Sequence, residues 1–152
     1  MNTASPLING NEMNLNTSTE MALSDFYRAF NTQNIQLMEL SWLNSETISM
    51  SNPIGGIRKG WNEIKAGYER IFYGTAKVFV EFYDFSIYTG EDIFFASGRE
   101  RGSFKNGETE ITLNIRTTRI FIKTNGLWKQ AHHHGSIDEP ELLKTYQKTI
   151  LK

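Results

Sequence analysis

Hydrophobic positions along the chain follow two different periods. From Thr17 to about Gly74 large apolar residues recur every three or four positions, and from about Lys77 to His134 they crowd into long runs rich in Phe, Ile, Val, Tyr and Thr. The first period is helical. Leu23, Phe26, Tyr27 and Phe30 form one stripe, preceded by Thr17-Ser18-Thr19-Glu20. That tetrapeptide has capping-box spacing, in which a Thr hydroxyl and a Glu carboxylate satisfy the first free amides of a helix. Asn31-Thr32 interrupts the stripe, and Ile35, Met38 and Trp42 continue it as a second, shorter helix. Ile48-Ser49-Met50-Ser51 reads as a short strand, and Asn52-Pro53-Ile54-Gly55-Gly56 as a loop by its turn residues. A third helix carries Trp61, Ile64, Tyr68, Ile71 and Phe72 and ends near Gly74.

The second period predicts four strands, about Lys77–Tyr88, Ile93–Phe104, Glu108–Lys123 and Leu127–His134, of the composition pleated surfaces favour. Asn106-Gly107 and Asn125-Gly126 separate the later ones; Asn-Gly suits the two positive φ values of a type I′ hairpin turn. Gly98 and Gly102 inside a strand predict bending or a bulge. Glu139–Lys152 reads as a closing helix with Pro140 in its first turn. Residues 1–16, rich in Asn, Ser and Thr, read as a disordered polar tail. The expected organisation is a tail over 1–16, one domain over 17–137 and a helical extension over 138–152. The class is α+β, with helices covering one face of an antiparallel meander.

Pairing across the two Asn-Gly turns sorts the strand residues by face, because residues opposite one another share a face. With Lys105 facing Glu108, one face holds Phe94, Ala96, Gly98, Glu100, Phe104, Ile111, Leu113, Ile115, Thr117, Arg119 and Phe121. Trp128, Gln130, His132 and His134 join it across the second turn, which sets Arg119 opposite His132 and Thr117 opposite His134. The other face holds Ser97, Arg99, Arg101, Arg116, Thr118, Ile120 and His133. The first face is the more apolar and is expected to meet the helices. Its polar members, Glu100, Arg119, His132 and His134, imply a cavity, since buried charges are costly unless paired or solvated.

Composition bounds what such a domain does. A chain of 152 residues, 39% hydrophobic and 12% aromatic, can bury a core as one domain. Sixteen basic residues against seventeen acidic ones leave no electrostatic footprint for nucleic acid. No apolar run approaches the ~18 residues of a membrane span, and the first residues do not read as a secretory signal. With no cysteine there is no disulfide, thiol nucleophile or cysteine-ligated metal, which accords with a cytoplasmic setting. No cofactor motif is visible: Gly55-Gly56 lacks the phosphate-loop pattern. The net charge of -1 conceals Arg99, Arg101, Arg116 and Arg119 on two neighbouring strands. Arginine forks suit carboxylates and phosphates, although Arg101 reads more simply as a surface ion pair. His132 and His134 are the expected proton carriers. No third or fourth ligand accompanies them at a metal-binding spacing, so no metal site is expected. Tyr27 and Trp42 are the expected pocket walls, each able to bury its ring while offering a polar tip.

The order of elements, together with Thr118-Arg119-Ile120-Phe121, Asn125-Gly126-Leu127-Trp128 and His132-His133-His134-Gly135-Ser136, resembles the NTF2-like superfamily. Within it the chain is similar to SnoaL-like domains and to the association domain of calcium/calmodulin-dependent protein kinase II. The resemblance covers about Glu20 to Ile137. It implies a cone: a curved sheet wrapped around three helices, with a deep pocket and a homodimer formed through the sheet. In the ketosteroid-isomerase branch an Asp base stands in an Asp-Pro-x-Gly stretch. Here that position is Asn52, the tyrosine position falls on Phe26, and the acid position on Thr118, which disfavours that chemistry. In the association domain one pocket arginine matches Arg119, a second matches Arg99, and a third falls on Gly135. The implied function is a pocket for a small carboxylate or polar organic molecule. Arg119 would be its anchor, with Arg99, Arg116, Thr118 and Asn52 as further ligand contacts. The alternatives are a SnoaL-like cyclase, isomerase or dehydratase using His134 as base, and a self-association module.

Overall fold

The computed structural model describes residues 7–150. Half of the predicted capping box forms: α1 (Ser18–Asn31) starts with the Thr17 hydroxyl accepting from the Glu20 amide at 3.2 Å, while the Glu20 carboxylate accepts from that hydroxyl at 2.8 Å and not from a backbone amide. α2 (Ile35–Ser41) is capped by Asn34, whose side chain accepts from the Leu37 amide at 3.0 Å. Next come β1 (Ser49–Ser51), β2 (Arg58–Lys59) and α3 (Gly60–Phe72). Four long strands follow, β3 (Lys77–Thr89), β4 (Ile93–Asn106), β5 (Thr109–Thr124) and β6 (Leu127–Ser136), and then α4 (Pro140–Ile150).

The long strands form the predicted antiparallel meander. The sheet is larger than the meander, with six strands in the order β2-β1-β6-β5-β4-β3 and β1 running parallel to β6. The sheet is curved and unclosed, and it folds around the helices as an NTF2-like cone. Leu23, Phe26 and Tyr27 of α1, Met38 of α2, and Ile64 and Tyr68 of α3 all pack into one core with the inner face of the sheet. A fourth helix, α4, adds Tyr146 and Ile150 to that core.

Two details depart from the predicted pairing. Across the β4–β5 turn Lys105 pairs with Glu110, a slide of two residues from Glu108. Side chains alternate with period two, so this slide leaves every one on its predicted face. The β5–β6 ladder is different. Phe121 pairs with Gln130 as expected, but Ile120 pairs with His132, so Ala131 is an extra residue. Beyond this bulge every side chain of β6 changes face. Gln130 and His133, three positions apart, both point inward and are buried, whereas His132 is half-buried and His134 exposed on the outer face. Arg119 is therefore opposite His133, and Thr118 opposite His134.

The expected polar tail is corrected at Ile8–Gly10, which are docked; its first six residues lie outside those described. Ile8 is fully buried and exchanges two backbone hydrogen bonds with Phe82 on the edge strand β3, at 2.9 and 2.8 Å. Asn31 donates to the Asn9 and Val80 carbonyls at 2.9 and 2.8 Å, tying this segment and β3 to the end of α1. Composition alone hides such an anchor, because one apolar residue on an open strand edge is enough to dock an otherwise polar segment.

Candidate functional site

The inner face of the sheet carries a buried polar network in an otherwise apolar core. Alternation along β4 and β5 points Glu100, Thr117 and Arg119 inward, and the Ala131 bulge adds His133 from β6. Arg119 is 3% exposed and Glu100 4%. The guanidinium donates to the Glu100 carboxylate at 3.2 Å, to the Gln130 carbonyl at 2.8 Å and to the Tyr27 hydroxyl at 3.2 Å. It also lies 3.7 Å from the centre of the Phe26 ring, in cation–π contact. The other Glu100 oxygen accepts a short hydrogen bond from the Thr117 hydroxyl, which in turn contacts His133 Nε2 at 3.3 Å. Tyr27, Arg119, Glu100, Thr117 and His133 thus form one continuous chain.

Burial sets the protonation of this chain. Desolvation, followed by the nearby Arg119 charge, holds the His133 imidazole well below its ordinary range, so the ring is neutral. Burial, followed by the Glu100 charge, holds the Tyr27 hydroxyl well above the phenol range. Burial also raises Tyr68, to about 12. Both phenols therefore keep their protons at neutral pH.

A cavity of about 50 Å³ adjoins the network. At ~10–15 Å³ each, that is room for about four waters, or for one small organic molecule of similar bulk. Its apolar walls include Phe26, Phe30, Met50, Val80, Leu113 and Ile115, and its polar side is made by Glu100, Arg119, His133 and Tyr68. The Asn52-Pro53 turn and Tyr146 of α4 complete the lining. α4 is fastened over this region: Tyr146 packs edge-on to Phe104 at 5.7 Å, and Gln147 donates to the Pro53 and Ile54 carbonyls at 3.2 and 3.1 Å.

The candidate residues divide between two places. Arg119 and Asn52 line the cavity. The Asn52 carboxamide oxygen also accepts from the Ile54 amide at 3.1 Å, holding the turn. Tyr27 and Trp42 stand behind the lining: Tyr27 stacks on Phe82 and receives Arg119, while Trp42 packs on Tyr68 at 6.2 Å. Arg99, Arg116, Thr118 and His134 meet instead in an open depression on the outer face. There Arg99 pairs with Asp84 at 3.1 Å, and Arg116 with Asp138 at 2.7 Å. His132, also outside, shares a hydrogen with Ser49 across the parallel β1–β6 pair at 2.8 Å. Partial burial lowers its pKa. The two histidines expected in the pocket are thus on the opposite side of the sheet, and His133, expected outside, is in it. Among the described residues no group of three or more His, Asp or Glu is placed to hold a metal ion. Among the same residues no helix is long and apolar enough to cross a membrane.

Comparison with known proteins agrees with this architecture. A candidate dehydratase of the NTF2-like family from Streptomyces avermitilis superposes with a TM-score of 0.69 at 20% identity, over 78% of this chain and 92% of its own. A candidate calcium/calmodulin-dependent protein kinase type II association domain from Thiobacillus denitrificans gives a TM-score of 0.69 at 16% identity, over 84% and 100%. A ketosteroid isomerase-like protein from Erwinia carotovora atroseptica gives 0.68 at 19%, over 81% and 95%. At these identities the likeness is one of fold. No curated protein matches the chain. The SnoaL-like domain family matches residues 20–139, most of the chain, from the first turn of α1 through β6, and to that family the protein belongs.

Proposed function

We propose that the protein binds a small organic molecule inside the cone, between the sheet and α1, α3 and α4. The observation that carries this reading is the coexistence, in one cavity, of apolar walls with buried polar groups that have no protein partner. The His133 Nδ1 and the Tyr68 hydroxyl are both buried and unpartnered, and both residues line the cavity. Buried polar atoms are ordinarily satisfied, so an unsatisfied atom on each of two residues lining one cavity supports a ligand there. Arg119 serves this site as a fixed charge already matched by Glu100, and Tyr27 holds it in position. A fragment screen read by protein NMR tests the proposal. Hits should move the signals of Leu113, Val80 and His133 together. Hits that move only Arg99, Arg116 and His134, on the outer face, would overturn it.

A catalytic reading, as cyclase, isomerase or dehydratase, passes through His133 in place of His134, because His133 is the imidazole on the cavity. Self-association through the sheet is supported by a separate observation. The outer face exposes Tyr88, Ile93 and Phe95, with Tyr88 stacked on Phe95 at 5.5 Å, as an apolar patch of the kind a second subunit covers.

A further inference from the structure

Counting donors and acceptors in the buried network narrows the ligand, given the cavity reading above. A guanidinium only donates, and an ionised carboxylate only accepts. Glu100 takes one hydrogen from Arg119 and one from Thr117. A threonine hydroxyl has a single hydrogen, and at Thr117 it is committed to Glu100. The contact between Thr117 and His133 Nε2 then requires the imidazole to donate. His133 is neutral, so its one proton is on Nε2 and Nδ1 presents a bare lone pair. This tautomer is assigned from the hydrogen-bond network.

The two unpartnered atoms on cavity-lining residues are therefore of opposite kind. His133 Nδ1 can only accept. Tyr68 keeps its proton and has it free to give. His133 is 6% exposed and Tyr68 3%, so bulk water supplies neither. A ketone would satisfy Tyr68 alone. A carboxylate could not donate to His133 and would bring a second negative charge towards Glu100. A hydroxyl group donates once and accepts, which answers both atoms. We infer that the cavity takes a small neutral alcohol, its hydroxyl donating to His133 Nδ1 and accepting from Tyr68, its hydrocarbon body against Phe26, Val80 and Leu113. A lone water could offer the same two bonds, but it would leave those walls unfilled.

The test uses three probes of the cavity's bulk, four heavy atoms each, with different heads: 2-propanol, acetone and acetate, titrated into the full chain and followed by NMR. 2-Propanol should bind ~tenfold more tightly than the ketone, the order expected for one hydrogen bond gained, and the carboxylate should bind least. The nitrogen spectrum of His133 should show the proton on Nε2. Thr117→Val keeps the β-branched shape but removes the hydroxyl that fixes this tautomer. In that variant the preference for alcohol over ketone should fall towards unity. Ketone or carboxylate binding as tightly as the alcohol at these residues, or a proton found on Nδ1, would overturn the inference while leaving the pocket itself a binding site. If none of the three probes moves any cavity signal, the reading of the cavity as a binding site falls as well.

Discussion

The two faces of the sheet treat the same residue types in opposite ways. On the outer face Arg99 meets Asp84, and on the inner face Arg119 meets Glu100, at nearly equal distances of 3.1 and 3.2 Å. The outer pair is about half-exposed, and water already solvates both charges, so pairing them gains little. The inner pair is dry, backed by Tyr27, Gln130, Thr117 and the Phe26 ring, and neither charge has an alternative partner in solvent. Distance alone says nothing about the weight of an ion pair; burial decides it. The same contrast applies to the histidines. His134 is exposed to water, while His133 is buried and must remain neutral to stay where it is.

The sharpest way to break this contrast is to remove one partner inside. Glu100→Ala leaves a buried guanidinium unpaired and should cost about 3–5 kcal/mol of stability in chemical denaturation. A loss no larger than that of an outer-face variant would refute the assignment of a dry inner pair. The histidines give an intermediate effect with a definite sign. The His133 pKa is lower in the folded chain than in the unfolded one. Above about pH 6.5 both states are neutral and the group contributes no slope. Below it the unfolded chain takes up a proton that the folded chain refuses. Stability should therefore fall with decreasing pH by about 1.4 kcal/mol per unit, beginning near the unfolded value. Urea melts of wild type and His133→Gln between pH 5 and 7 check this, and an unchanged slope in the variant would assign the titration elsewhere. The smallest effect belongs outside. Arg99→Ala should change stability by no more than ~1 kcal/mol, and any change should shrink in high salt.

Much of this arrangement was legible in the chain. The helices announced themselves by spacing and caps, and the faces of β4 and β5 by strict alternation, so Arg119 and Glu100 could be placed on the apolar side. Even the two-residue error in the β4–β5 register did no harm, because period-two alternation is blind to it. The error at β6 was a shift of one, and Ala131 carries no signature that would reveal it. A bulge is a property of a pair of strands, and only one of the two is read at a time. Once it is known, Gln130 and His133 three apart, both buried, become its trace. Long-range pairing hid the rest. The two residues of β2, the parallel seating of β1 on β6 and the docking of Ile8 on β3 depend on partners far along the chain, and local pattern does not encode them.

The fastening of α4 has a kinetic meaning. Tyr146 is at once part of the cavity wall and part of the helix that covers it, and Gln147 pins that helix to the Pro53-Ile54 backbone. A molecule bound as proposed and leaving past α4 would break both contacts. On that route exit would be tied to a local unfolding step, whose free energy contributes to how long the molecule stays. On that reading residence time becomes a quantity stored in α4, adjustable by changes that leave Arg119, Glu100 and His133 untouched.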